Sequence, residues 1–152
     1  MSIETDIKQK KFRSPYHRLT VNLIYTSNWL MYQQLETLRE YGITPQQYNV
    51  LRILKGQYPQ PIKVNAITER MLDKTSNASR LVDKLLAKEL LIRNSCPSDR
   101  RAVDVVITEK GLDLLAQLDP VILEAEKNLQ TLTPEEADQL SDLLDRLRKT
   151  EK

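Results

Sequence analysis

At 152 residues the chain is one domain by length, with enough material for a full core. Hydrophobic residues at 40% and charged residues at 29%, with only 3 glycines, exclude a disordered or fibrous chain and fit a soluble globular one. A net charge of +2 argues against an indiscriminate polyanion binder or chromosome-coating protein.

The charge is sorted along the chain. Residues 1–62 hold eight Lys/Arg against four Asp/Glu, residues 63–107 nine against six, and residues 108–152 six against eleven. Basic material therefore surrounds the centre, and acidic material fills the C-terminal part. The single cysteine, Cys96, excludes an internal disulfide framework and fits a reducing compartment. The first residues are charged and have no apolar core of signal-peptide length, and no apolar run approaches membrane-spanning length. The expectation is a cytoplasmic protein with no membrane partner.

In chain order, residues 1–13 read as a loose or partly ordered N-terminal arm. A long helix follows from about Ser14 to Leu38, with Pro15 suited to its first turn. Its middle is apolar on several sides (Leu23, Ile24, Tyr25, Trp29, Leu30, Met31, Tyr32), as expected of a helix buried against both its own core and a partner chain. Gly42 breaks it. Thr44, Pro45 and Gln47 then make a capping box for a helix with Tyr48, Val50, Leu51, Ile53 and Leu54 inward, ending at Gly56. IKVNAITERML is a short helix with Ala66, Ile67 and Met71 inward.

The central stretch runs from Asp73 to Arg101. Ala78, Leu81, Val82, Leu85 and Leu86 share one face of a helix. The opposite face carries Thr75, Ser76, Asn77, Ser79, Arg80, Asp83 and Lys84, short hydroxyl and amide groups followed by long cations. Such a face can lay hydroxyls and backbone N–H groups on phosphates while Asn and Arg reach base edges. Two β-like runs follow, Leu90–Asn94 and Val103–Thr108, joined by the loop SCPSDRRA. This is the layout of a winged helix-turn-helix.

Thr108 caps a further helix in which Leu115, Leu118, Ile122, Ala125, Leu129 and Leu132 form a seam, with a kink expected at Pro120. Thr133, Pro134 and Glu136 open a last helix through a second capping box, with Ala137, Leu140, Leu144 and Leu147 on one side. The fold class is thus mainly α with a small β-hairpin wing: a winged helix-turn-helix module over 43–108, flanked by dimerisation helices over 14–40 and 109–152. The terminal helices carry more apolar surface than a lone module needs, which points to a homodimer.

The segments ITPQQYNVLRIL, SNASRLVDKLLAKELLIR and CPSDRRAVDVVITEKG resemble the MarR family of winged helix-turn-helix transcription regulators, over roughly residues 43–111. Three positions depart from the family pattern. Leu72 stands where the turn usually has Gly, Glu89 where the helix before the wing ends in Gly, and Lys63 where a capping hydroxyl is common. The resemblance implies a homodimer on double-stranded DNA, with recognition helices in successive major grooves of a pseudo-palindromic site and half-sites about 10 bp apart. By match of position, Ser76, Asn77, Ser79, Arg80 and Lys84 fall on the recognition helix, and Asp99, Arg100 and Arg101 on the wing. Ser76 and Ser79 would bind phosphate, as would Lys84; Asn77 and Arg80 are candidates for base edges. One wing arginine would enter the minor groove and the other pair with Asp99.

The family also binds small aromatic or lipophilic effectors, for which Tyr16, His17, Tyr25 and Trp29 are the candidate pocket residues here. Asn77 bonding its own backbone and Arg80 paired with Asp83 or Glu69 are the structural alternatives. Cys96, near Arg93 and Arg100, is a candidate oxidation sensor or a small packing residue. His17 is the only histidine, so neither a metal site nor a cofactor is expected, and no nucleophile elbow or glycine-rich phosphate loop suggests an enzyme. The competing reading is a winged-helix module that docks a protein and not DNA.

Overall fold

The structure, a computed structural model, describes residues 1–96 and 99–149; the side chains of residues 95–102 fall outside that description. Helix α1 (Ile3–Asp6) is a single turn in the N-terminal arm, where Ile3 is buried and Glu4 pairs with Arg18 at 2.6 Å. The arm is thus partly ordered, pinned to the long helix α2 (Pro15–Arg39). Ser14 caps α2 by accepting the His17 N–H, and Pro15 occupies its first position, where no N–H is needed. Gly42 then turns the chain at a φ of +70°, which glycine adopts without a Cβ penalty.

Helix α3 (Pro45–Gln57) starts from the expected capping box: the Thr44 hydroxyl accepts from Gln47 N–H, and the Gln47 carboxamide accepts from Thr44 N–H. It runs past Gly56. What stops it is Pro59, which forces Tyr58 into an extended ψ of 136°. Residues Ile62–Lys63, expected within a helix, instead form strand β1, and the helix that follows, α4, covers only Val64–Arg70. Lys63 sits at its N-cap without a side-chain cap bond.

Helix α5 (Ala78–Ala87) buries Ala78, Val82 and Leu85. It ends in a Schellman arrangement, with Glu89 N–H on the Leu86 carbonyl and Leu90 N–H on the Leu85 carbonyl. Glu89 takes the left-handed conformation at φ +61° that glycine usually supplies. At Leu72, the other departure, no positive φ arises; its N–H donates to the Asn49 carboxamide at 3.0 Å and its side chain lies exposed.

Strands β2 (Leu91–Cys96) and β3 (Asp99–Ile107) form the hairpin, and β1 adds to its other edge, giving the antiparallel order β1-β3-β2. Leu91 faces Ile107 and Cys96 faces Asp99 across the hairpin, while Ile62 faces Val105 on the outer strand. The strands reach further than the sequence suggests, so Asp99–Arg101 belong to β3 and not to the loop. Helix α6 (Glu109–Glu126) starts at Thr108, whose hydroxyl accepts the Gly111 N–H at 3.1 Å, and it contains Pro120. It stops short of the expected seam; Lys127–Leu129 is a 3-10 turn. Helix α7 (Pro134–Arg148) opens on the second capping box, Thr133 with Glu136.

The chain divides into two compact units, Met1–Leu115 and Ala116–Lys152. The first has its core where α3, α4, α5 and the sheet meet: Leu38, Val50, Leu51, Leu54, Ile67, Met71, Val82, Leu85, Leu91 and Val105 are all but fully buried. Each large aliphatic side chain there contributes roughly 1.5–3 kcal/mol through burial. Ile24, Tyr25, Trp29, Met31, Tyr32 and Leu35 on α2 remain exposed. In the second unit Leu129, Leu132, Leu140, Leu143 and Leu147 are exposed as well.

Candidate nucleic-acid interface

The apolar stripe of α5 fixes its rotation. With Ala78, Val82 and Leu85 in the core, Ser79, Arg80, Asp83 and Lys84 are left on the solvent side. The helix begins at Ala78, later than the expected set of contacts. Thr75 and Ser76 therefore lie in the preceding loop, and Asn77 is the N-cap. The Asp73 carboxylate organises that loop by accepting from Thr75 N–H at 2.9 Å and from the Thr75 hydroxyl at 2.6 Å. These bonds, the hydroxyl first, hold the Asp73 carboxyl below the usual carboxylate range. The Thr75 hydroxyl proton is thereby committed to Asp73.

Asn77 does what a helix-start residue does. Its carboxamide oxygen accepts the Arg80 N–H at 3.1 Å, satisfying one of the helix's orphan donors. Its NH₂ group is chemically distinct from that bond. Arg80 has no ion pair among the described residues: Asp83 is paired instead with Arg93 of β2. That pair ties the hairpin to α5, and Lys63 with Asp104 (3.4 Å) ties β1 to β3. The sequence carries no local signal for this role of Arg93, since its partner sits ten residues back on α5. Between α4, α5 and the hairpin is a cleft of about 320 Å³ lined by Asn65, Ser79, Asp83 and Arg93 among others.

Asp99, Arg100 and Arg101 follow one another along the start of β3, and Cys96 ends β2. The side chains expected to touch DNA or to sense oxidants at these positions lie outside the described residues.

Of the candidate effector residues, Tyr16 and His17 share an open depression of about 410 Å³ with Arg13, Ser14 and Thr20 at the start of α2. His17 is held there by the Arg13 N–H on its Nδ1 at 3.2 Å and by the edge of Phe12, ring centres 5.4 Å apart. Tyr25 and Trp29 do not line this depression; they lie further along α2, partly exposed. Among the described residues no cluster of three His, Cys, Asp or Glu side chains could hold a metal, and no helix is long and apolar enough to cross a membrane.

Residues 43–103 match the model of the MarR family. The chain is 33% identical over 111 residues to the HTH-type transcriptional regulator MhqR of Bacillus subtilis, covering 72% of this chain and 75% of that one. The chain belongs to the MarR family. Like its MarR relatives, it is a DNA-binding transcription regulator. Solved MarR-type folds superpose on most of it. Bordetella bronchiseptica BpsR, studied for regulation of its DNA binding by 6-hydroxynicotinic acid, gives a TM-score of 0.78 at 19% identity, covering 93% of this chain and 100% of that one. S. aureus MepR in complex with DNA gives 0.72 at 22% identity, covering 90% and 97%. The protein-docking alternative is not favoured. The solvent side of α5 offers small polar and cationic groups, not the exposed aromatics or leucines of a docking face.

Proposed function

We propose that this MarR-family protein is a repressor, not an enzyme, that acts in the cytoplasm as a homodimer on pseudo-palindromic duplex DNA and is released by a small aromatic or lipophilic effector. Residues 43–108 form the DNA-binding module, and residues 14–40 and 109–152 supply the dimer contacts. The observation that carries the reading is the solvent face of α5, where Ser79, Arg80 and Lys84 are exposed and Arg80 has no ion pair among the described residues. Placed in a major groove, Arg80 reads base edges, Ser79 and Ser76 hold phosphate, and Lys84 follows the backbone. Asn77 caps the helix with its oxygen and offers its NH₂ donors to a base or phosphate. Thr75 contributes loop shape through Asp73. One of Arg100 and Arg101 reaches the minor groove from the wing, and the other pairs with Asp99 to stiffen it.

The exposed apolar residues of α2, and those of α7, support a partner copy, since a monomer rarely leaves so much apolar surface open. Effector release is supported by the BpsR likeness, with Tyr16 and His17 in their depression as the first contacts and Tyr25 and Trp29 beside the dimer seam. Binding there would shift the separation of the two α5 helices and spoil alignment with the half-sites. The test is a salt series on labelled duplex DNA. Replacing Arg100 and Arg101 together with Ala is expected to weaken binding and lower the slope of log affinity against log salt by about 1 to 2. Unchanged affinity and slope would remove the wing from the interface.

A further inference from the structure

The end of α5 away from its cap is gripped from two directions. On one side Lys88, half-buried, turns its ammonium toward the segment joining α2 to α3. There it donates to the Gly42 carbonyl and, at 3.2 Å, to the Gln47 carboxamide oxygen. Gln47 is buried, only 4% exposed, and the same oxygen also accepts the Thr44 N–H at 3.2 Å. On the other side, Lys110 at the start of α6 donates to the Lys88 carbonyl at 3.0 Å, and the Thr108 hydroxyl donates to the Glu89 carbonyl at 2.8 Å. The end of the DNA-reading helix is therefore bonded both to the α2–α3 turn with the first turn of α3 and to the start of α6.

We propose that Lys88 is a positioning residue for DNA recognition: its ammonium clamps the C-terminal end of α5 to the α2–α3 turn and so sets the angle at which the exposed face of α5 is presented. An ammonium suits the task, being compact, bearing three donors and reaching through a long stem to two acceptors at once. The lever is long. From Lys88 to the cap is about 15 Å of helix, so a pivot of about 4° at the clamp moves Asn77 and its neighbours by about 1 Å. Base-edge hydrogen bonds do not survive such a displacement, whereas contacts to flexible phosphates do. The clamp thus serves specificity, and it gives motion of α2 a route to α5 that involves no DNA contact. The inference rests on α5 being the helix that reads DNA.

The test compares full-length wild type, K88M, K88R and R80A on two probes, a duplex selected by the wild-type protein from a random pool and a scrambled duplex of the same length. K88M is expected to lose about tenfold on the selected duplex, within the range of couplings carried by packed networks, and less than about twofold on the scrambled one. Its salt slope should stay that of wild type, and K88R should recover most of the loss. Equal binding of both probes by K88M and wild type would overturn the proposal and leave Lys88 a stability residue. Losses on both probes, with a slope lowered by about 1, would also overturn it, making Lys88 a phosphate ligand. R80A keeps the two readings apart: if it too leaves selective binding intact, α5 is not the reading helix and the failure lies there. Should K88M not fold, K88Q, which keeps a donor but lacks the reach, is read by the same criteria.

Discussion

Gly111, in the first turn of α6, offers a substitution in which two physical effects oppose each other. In an unconstrained helix, glycine to alanine is stabilising by up to about 1 kcal/mol, because glycine loses more backbone freedom on folding. Here a Cβ would stand 2.4 Å from the Leu90 carbonyl oxygen and 2.6 Å from Cγ1 of Ile107. The Ile107 side chain can yield, but the Leu90 oxygen is backbone. It also receives the Thr108 N–H at 3.1 Å, so moving it strains the junction of wing and α6. Overpacking of this kind costs about 1–3 kcal/mol, and the backbone clash places G111A toward the upper end; after the helix gain a net loss of about 2 kcal/mol remains. For a chain of this length that lowers the thermal midpoint by roughly 4–8 °C. The assay is circular dichroism melting of wild type and G111A at matched protein concentration, since an associating protein melts in a concentration-dependent way. A midpoint equal to or above that of wild type would refute the close approach of α6 to Leu90.

Asn77→Asp should keep the helix cap and thus the melting temperature, while weakening DNA binding through a new negative charge near phosphate; Asn77→Ala should instead cost about 1 kcal/mol of stability. If N77D binds as well as wild type, Asn77 lies away from the DNA. Glu89→Gly should stabilise by about 1 kcal/mol, by relieving the left-handed strain at φ +61°, despite the loss of an exposed ion pair to Lys110. A destabilised E89G in urea melts would contradict that backbone geometry. The Arg18 guanidinium, by hydrogen bond, lowers the Glu4 carboxyl from 4.5 to about 2. Because the folded value is depressed, this contact supports the arm fully above about pH 4.5 and is lost as pH falls toward 2. An NMR titration of the Glu4 side chain should show the low midpoint in wild type and a return toward 4.5 in R18Q; equal midpoints would mean the arm is not pinned there.

Features set by neighbours in sequence were legible before any coordinates. Both capping boxes, Thr44 with Gln47 and Thr133 with Glu136, need only a hydroxyl and an amide or carboxylate three residues on, and both formed. The buried stripe of α5 followed from period alone. What was not legible depends on partners far along the chain. Strand β1 is two residues long and is a strand only because Val105 and Asp104 lie beside it. Gly56 reads as the end of α3, but the helix continues through it to Gln57, and Pro59 acts back on Tyr58. In the site, the residue types on the solvent face of α5 were readable. Asn77's commitment to the cap, Asp83's choice of Arg93 and Lys88's reach to Gln47 were not, because each is decided by packing of separate elements. Gly111 shows the reverse: the glycine ending the Thr-Glu-Lys-Gly run was visible as a motif, and only the fold supplies the reason, a carbonyl and an isoleucine where a Cβ would sit.

The central claim is that a dimer of this chain reads duplex DNA through α5 and the wing. Its most direct test is selection from a random duplex pool by the purified full-length protein at moderate salt, with sequencing of the retained DNA and the oligomeric state measured alongside. The expected result is enrichment of a palindrome with half-sites about 10 bp apart, bound by a dimer. A folded protein that enriches no sequence, or one that retains a single unpaired half-site as a monomer, would contradict it.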